Sequence, residues 1–543
     1  MTKVLIIGCG ISGLSCAIEC ASRGISSILV SPFPSERAQS VLAAGGINAV
    51  LRTDNGDSIE QHIQDTLKGG CNIAGVKAVT GLCSEAPEIV RWLESLGTVF
   101  SRDGEGKISQ RPFGGQTYPR TCYAGTSTGK QIVTALVMEA RRYEGLGLIE
   151  RRFWKDFHSA LIKDGKCCGA LLFNEASGTL ESVTADAVVI AVGGQNTMFG
   201  KTTGSTQCDG YTAGRLLMQG VKLKNLEFIQ YHPTAIETDR KNMLISEAAR
   251  GEGGRLYYEE DGKRVYFMED KFGEKGNLMP RDVVSRTMYE TGKDIYLDVS
   301  FLGREKILDR IPEVYDLCMK YRGIDITRES IPVRPSVHFF MGGIAVGLNH
   351  MTNIKDLYAV GECASIYHGA NRLGGNSLLA AVYSGRVAAR SIADAGSSSD
   401  GGDWSAYAKS EKEKLDARRE VTSDINVAYV KQVLADNINS ALGIVRSSEN
   451  IAKSMETVDH FIALKDEISY NKSELEYFNY RIDGLLNLGK AMLVCAESRK
   501  ESRGSHLRSD YPETQDEYKK STIVSLEGGV FRTQLEGEDD YAG

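Results

Sequence analysis

Three glycines, Gly8, Gly10 and Gly13, are spaced G-x-G-x-x-G, a pattern that lets backbone amides at the start of a helix receive a pyrophosphate. Paired glycines return at Gly45-Gly46, Gly193-Gly194 and Gly374-Gly375, three further places where backbone without a Cβ can approach a ligand closely. One long cofactor touching several segments explains all four. The acid that a plain NAD site places after its second strand is missing, because Ile28-Leu29-Val30 runs into Ser31 and Pro32. Glu247 and Arg250 stand three apart in Ser-Glu-Ala-Ala-Arg, so on a helical turn a carboxylate and a guanidinium share a face. The 12 cysteines form no C-x-x-C pair and read as reduced packing residues, with Cys167-Cys168 and Cys363 the remaining redox candidates. No metal site is expected.

These residues need a scaffold that gathers distant segments. Val4 to Ile7 is an unbroken aliphatic run before the glycine turn, Leu14 to Ala21 has helical spacing, and Ile28 to Val30 is a second strand. Ala187 to Val192 and Leu357 to Val360 each end in glycine and read as further parallel strands. An α/β, Rossmann-like nucleotide-binding domain is therefore expected in two parts, residues 1–219 and 343–395. Between them, 220–342 is rich in charge and aromatics and reads as an inserted domain. A polar linker, Ala395 to Gly402, precedes a helical domain over 403–510, where Leu485, Leu488, Met492 and Cys495 repeat at helical spacing. The charged tail, 511–543, is expected to wrap the surface.

The chain has 543 residues, 42% of them hydrophobic, enough for several domains. A formal charge of -7 gives no basic footprint for nucleic acid, so an anionic substrate needs a local cationic pocket. No apolar run reaches the roughly 18 residues of a membrane helix, and no targeting segment is read before Lys3, so a cytoplasmic protein is expected.

From Arg37-Ala38-Gln39-Ser40 through Ala43-Ala44-Gly45-Gly46, the chain resembles the flavin attachment segment of succinate dehydrogenase and fumarate reductase flavoproteins. The resemblance continues through Arg111-Pro112-Phe113-Gly114-Gly115-Gln116, Gln230-Tyr231-His232-Pro233-Thr234, Ser246-Glu247-Ala248-Ala249-Arg250-Gly251, Pro280-Arg281-Asp282 and His338-Phe339-Phe340-Met341-Gly342-Gly343. It runs on through Gly361-Glu362-Cys363, His368-Gly369-Ala370-Asn371-Arg372-Leu373-Gly374-Gly375-Asn376-Ser377 and Glu501-Ser502-Arg503-Gly504, so it covers nearly the whole chain.

The resemblance implies bound FAD, with residues 220–342 as an α+β capping domain over the substrate. It places cofactor contacts at Gly8, Gly10, Ser12, Gly13, Ser31, Gln39, Ser40, Ala44, Gly45 and Gly46. It adds Gly193, Gly194, Asp209, Glu362, Arg372, Asn376, Ser377 and Leu378. One departure carries chemical weight: the family's flavin-linked histidine falls at Gln39, and a glutamine cannot form the histidyl bond, so non-covalent FAD is expected. That favours fumarate reduction over succinate oxidation. By the same resemblance His232, Ser246, His338 and Arg372 grip the two carboxylates and Phe113 presses the substrate toward the flavin. Arg281 donates the proton, with Glu247 and Arg250 as its relay. The alternatives are L-aspartate oxidase, although Arg111 to Thr117 holds no carboxylate for a substrate ammonium, or a reductase of another enoate; a non-catalytic flavin electron-transfer subunit is more distant. The chain has no iron-sulfur cysteine spacing, so a separate iron-sulfur electron-transfer subunit is expected as partner.

Overall fold

A computed structural model describes residues 3–125, 127–239, 241–396, 401–470 and 480–537. Its centre is a five-stranded parallel sheet ordered Leu357–Ala359, Ala187–Ile190, Lys3–Ile7, Ser26–Ser31 and Ile149–Phe153. Val4, Leu5, Ile6, Val188 and Val189 are wholly buried, as a sheet covered on both faces requires, and each such side chain contributes about 1.5–3 kcal/mol. Four of the strands are the aliphatic runs read from the sequence. The fifth, Ile-Glu-Arg-Arg-Phe, lies at the sheet edge, where charged side chains blunt further pairing; Arg151 is held by Glu144 at 2.7 Å.

The inserted segment builds its own six-stranded antiparallel sheet, ordered Asn242–Leu244, Ile229–Glu237, Ile331–Phe340, Ile295–Asp298, Arg255–Glu260 and Lys263–Val265. Helices Arg281–Thr291 and Pro312–Arg322 accompany it, and Leu256, Met268, Val284, Leu297 and Ile307 form a second core. The protein is thus an α/β, Rossmann-like fold with an inserted α+β cap and a C-terminal helical region.

That helical region contains Ser405–Arg419, Val427–Ala441, Ser448–Ala463 and Ile482–Ser498. Leu485, Leu488, Met492 and Cys495 all face inward, as their spacing requires. Residues 397–400 of the expected linker lie outside the described residues. The tail folds into the hairpin Ser521–Glu527 and Val530–Glu536, whose first strand pairs with Leu223–Lys224. Buried Arg499 ties the region to the start of the cap: its Nε meets Glu227 Oε1 at 2.6 Å and its guanidinium lies 4.8 Å over the Phe228 ring. Among the described residues no helix is long and apolar enough to cross a membrane. Cys16 and Cys20 are buried packing residues of the first helix, Cys9 is buried in the turn before it, and Cys167, Cys168 and Cys363 are buried too.

Candidate active site

A cavity of about 410 Å³ runs from the central sheet to the cap. At one end it is walled by Gly8, Gly10, Ser12 and Ser31; the loop carrying Gln39, Ser40, Ala44, Gly45 and Gly46 folds over it. Gly193, Asp209, Glu362, Ser377 and Leu378 also line it. Gly13, Gly194 and Asn376 do not face this space. Gly13 packs the helix on the turn, since a Cβ there would lie 2.0 Å from Gly8 O, and a Cβ on Gly194 would strike Glu362. Asn376 braces the turn from below, donating to Thr66 Oγ1 at 3.0 Å and accepting from Asn48 Nδ2 at 2.7 Å.

Helices Ile11–Ser22 and Asn376–Ala395 both start at this cavity, and neither has a side-chain cap or an acid in its first turn. Ile11 N–H donates to Ser40 Oγ at 3.3 Å and Asn376 N–H to the Leu373 carbonyl at 3.2 Å, and the positive dipole ends of the two helices suit an anion or a polarised carbonyl, which fits a flavin dinucleotide with its pyrophosphate. Burial pushes Glu362 up to about 7, so it carries only part of a charge near neutral pH; Asp209, pushed up to about 6, stays mostly ionised and is paired with Arg481.

At the cap end the cavity is lined by Phe113, His232, Ser246, Glu247, Arg281, His338 and Arg372. Two bulges aim the histidines. Gln230 pairs with Phe339 but Tyr231 with Val337, so His338 is the extra residue of one bulge; a second shift follows His232, where Pro233 breaks the ladder. The two imidazoles meet edge to face at 5.1 Å, and Thr203 Oγ1 lies 2.9 Å from His338 Nδ1. Burial first, and then Arg281, hold both well below the usual histidine value, so both are neutral.

Arg281 opens its helix with Nε and Nη2 donating to Glu247 Oε2 at 2.9 and 2.6 Å. Gly114 N–H donates to Glu247 Oε1 at 2.9 Å, and Arg250 Nη2 stands 3.7 Å from that atom. Arg250 is behind Glu247, outside the cavity lining, and its Nε and Nη2 have no hydrogen-bond partner among the described residues. Burial pushes the Glu247 carboxyl up, but Arg281 and Arg250 outweigh it and leave a value of about 2. Arg372 lies 4.3 Å over the Phe339 ring, and burial followed by the charge of Arg281 holds its guanidinium well below the usual arginine value. Phe113 is wedged between the Gly45 and Gly374 backbones, where a Cβ on either glycine would lie 3.1 Å from its ring. Gly374 therefore serves the phenyl ring rather than the cofactor wall.

Residues 3–378 match the family described as FAD binding domain, and 431–538 match that described as fumarate reductase flavoprotein C-term. The succinate dehydrogenase flavoprotein subunit of Bacillus subtilis (strain 168) is 35% identical over 548 residues, covering 96% of this chain and 94% of that protein. The chain belongs to the succinate dehydrogenase and fumarate reductase flavoprotein family. The fumarate reductase flavoprotein subunit of Mycobacterium tuberculosis (strain CDC 1551 / Oshkosh) is 33% identical over 553 residues, covering 95% of this flavoprotein and 93% of that protein. A solved E. coli quinol fumarate reductase variant superposes with a TM-score of 0.91 at 30% identity, covering 99% of this flavoprotein and 97% of that chain. The flavoprotein is accordingly an FAD-dependent oxidoreductase of the family acting on the CH–CH bond of succinate and fumarate.

Gln230, Thr203 and Lys241 join the expected residues only in the folded chain. Gln230 bridges Arg281 and Arg372; Lys241 lines the cavity with Nζ 3.4 Å from Gly204 O. Of the three, Gln230 alone had a signal in the sequence, its place in the Gln-Tyr-His-Pro-Thr segment.

Proposed function

We propose that this flavoprotein reduces fumarate to succinate, with Arg281 as the proton donor. Bound FAD supplies hydride exchange with one carbon of the substrate. The remaining chemistry belongs to the chain. Arg372 offers a planar fork to one carboxylate, while neutral His232 and His338, with Ser246, present hydrogen-bonding groups to the substrate. Arg250, Arg281 and Arg372 outweigh Glu247, which draws a dianion in and polarises its double bond. Phe113 bounds the pocket and excludes water.

The observation that carries this reading is the buried line Arg281, Glu247, Arg250. An arginine releases a proton only to a far stronger base, and the carbon left electron-rich as hydride reaches its neighbour is such a base. Glu247, bonded to Arg281 at two nitrogens, steadies the guanidinium at that moment and returns a proton to it, with Arg250 behind to re-supply the carboxylate.

Gln39 lines the cavity and its Oε1 accepts from Ser205 N–H. An amide there supports non-covalent FAD and hence the reductive direction. The relatives are named as subunits, which supports a partner protein, and we place that partner as an iron-sulfur electron donor. Steady-state assays separate the readings: fumarate consumption with a reduced dye supports this one, and aspartate-dependent peroxide formation supports an aspartate oxidase instead.

A further inference from the structure

Gln230 is wholly buried on the cap strand Ile229–Glu237, and its amide is saturated. Its Oε1 accepts from Arg281 Nη1 at 3.1 Å and from Arg372 Nη2 at 2.9 Å. Its Nε2 donates to Asn371 Oδ1 and to the Arg372 carbonyl, each at 2.8 Å. Asn371 in turn donates to Asp282 at 2.9 Å, next to Arg281. The amide cannot be reversed, because a flip would aim an NH2 at two guanidiniums and an oxygen at a carbonyl.

We infer that Gln230 is a positioning residue for the reaction: it locks Arg281 of the cap to Arg372 of the FAD-binding domain at one neutral oxygen. This rests on the roles proposed above for the two arginines. The neutrality matters as much as the bonds. Two guanidiniums brought to one acceptor repel each other, and a carboxylate at this point would relieve the repulsion by cancelling charge that the substrate needs. An amide oxygen holds both forks and cancels none of it. Glu247 already takes two nitrogens of Arg281, so the bond to Gln230 fixes the third and removes the guanidinium's freedom to swing. The same oxygen orients Arg372, whose Nε has no partner among the described residues.

The test compares Gln230→Glu and Gln230→Met in the FAD-loaded full chain. Malonate affinity is read from the flavin absorbance, and reoxidation of the reduced enzyme is measured against fumarate concentration. Gln230→Glu keeps the shape and adds a charge, so malonate Kd and fumarate KM rise by about tenfold or more. Gln230→Met keeps the charge and removes the lock, so kcat falls by about tenfold or more while malonate Kd rises less than it does in Gln230→Glu. A purely structural amide would give both variants the same profile, and that result overturns the inference. So does a Gln230→Met enzyme turning over within about threefold of the unmodified one. Should either variant lose FAD, Asn371→Ala removes one of the two acceptors that hold the Gln230 amide, leaving the Arg372 carbonyl as the other, without altering either guanidinium; lowered kcat supports the lock and unchanged kcat overturns it. If the unmodified enzyme is not reoxidised by fumarate, the substrate assignment falls. The malonate comparison still decides for Gln230, since Gln230→Glu binding malonate as tightly as the unmodified protein overturns the inference.

Discussion

Glu247 Oε2 accepts from both Nε and Nη2 of Arg281, at 2.9 and 2.6 Å, where neither residue is more than 8% exposed. A buried pair of this kind contributes little net stability when intact and costs much when one partner is lost. Glu247→Gln leaves Arg281 and Arg250 buried without a counter-charge. The expected loss is about 3–5 kcal/mol in urea unfolding. Turnover falls by about a hundredfold or more in the same variant, since the proton relay is cut.

The same carboxylate sets an acid limit. Its folded value of about 2 lies below the ordinary 4.5, so its stabilisation is fully present above pH 4.5 and is lost as pH falls toward 2. The Tm gap between the unmodified protein and Glu247→Gln should be constant above about pH 5 and close between about 4.5 and 2. A gap that stays constant through that window would contradict the pairing.

Neutral His232 and His338 carry a different signature. Burial holds both well below 6.5, so neither gains a proton as pH drops from about 8 to 6. The expected kcat/KM profile shows no imidazole step near 6.5 that His232→Asn removes. The variant should keep the profile's shape while fumarate KM rises by about tenfold or more, the value of a hydrogen bond to a charged group.

The central sheet was legible because strands buried on both faces must be continuously apolar, as Val4 to Ile7 and Ala187 to Ile190 are. Ile149–Phe153 was not, because this edge strand has three consecutive charged residues, Glu150 to Arg152, and no such run. The hairpin Lys155–Lys163 and Lys166–Asn174 carried a different signal, the Asp164-Gly165 turn, where both residues take positive φ, 52° and 74°. A search for aliphatic runs does not use that signal. At the site, Glu247 and Arg250 were paired by helical spacing alone. Gln230 was not paired with Arg372, 142 positions away, because only the closure of cap on FAD-binding domain brings them together. The bulge that turns His338 inward likewise depends on strand pairing with Ile229–Glu237, far earlier in the chain.

Gln39 makes a prediction about attachment. An amide cannot form the histidyl bond, so acid precipitation of the purified protein should release all its flavin to the supernatant. Flavin fluorescence on the protein band of a denaturing gel would contradict non-covalent binding.

Proton donation by Arg281 is tested most directly by anaerobic reoxidation of the dithionite-reduced, FAD-loaded protein with fumarate, with Arg281→Ala alongside. The unmodified protein should reoxidise rapidly, and the variant should lose about a thousandfold or more in rate with FAD content unchanged. Slow reoxidation in both, or equal rates in both, would contradict Arg281 as the proton donor of a fumarate reductase.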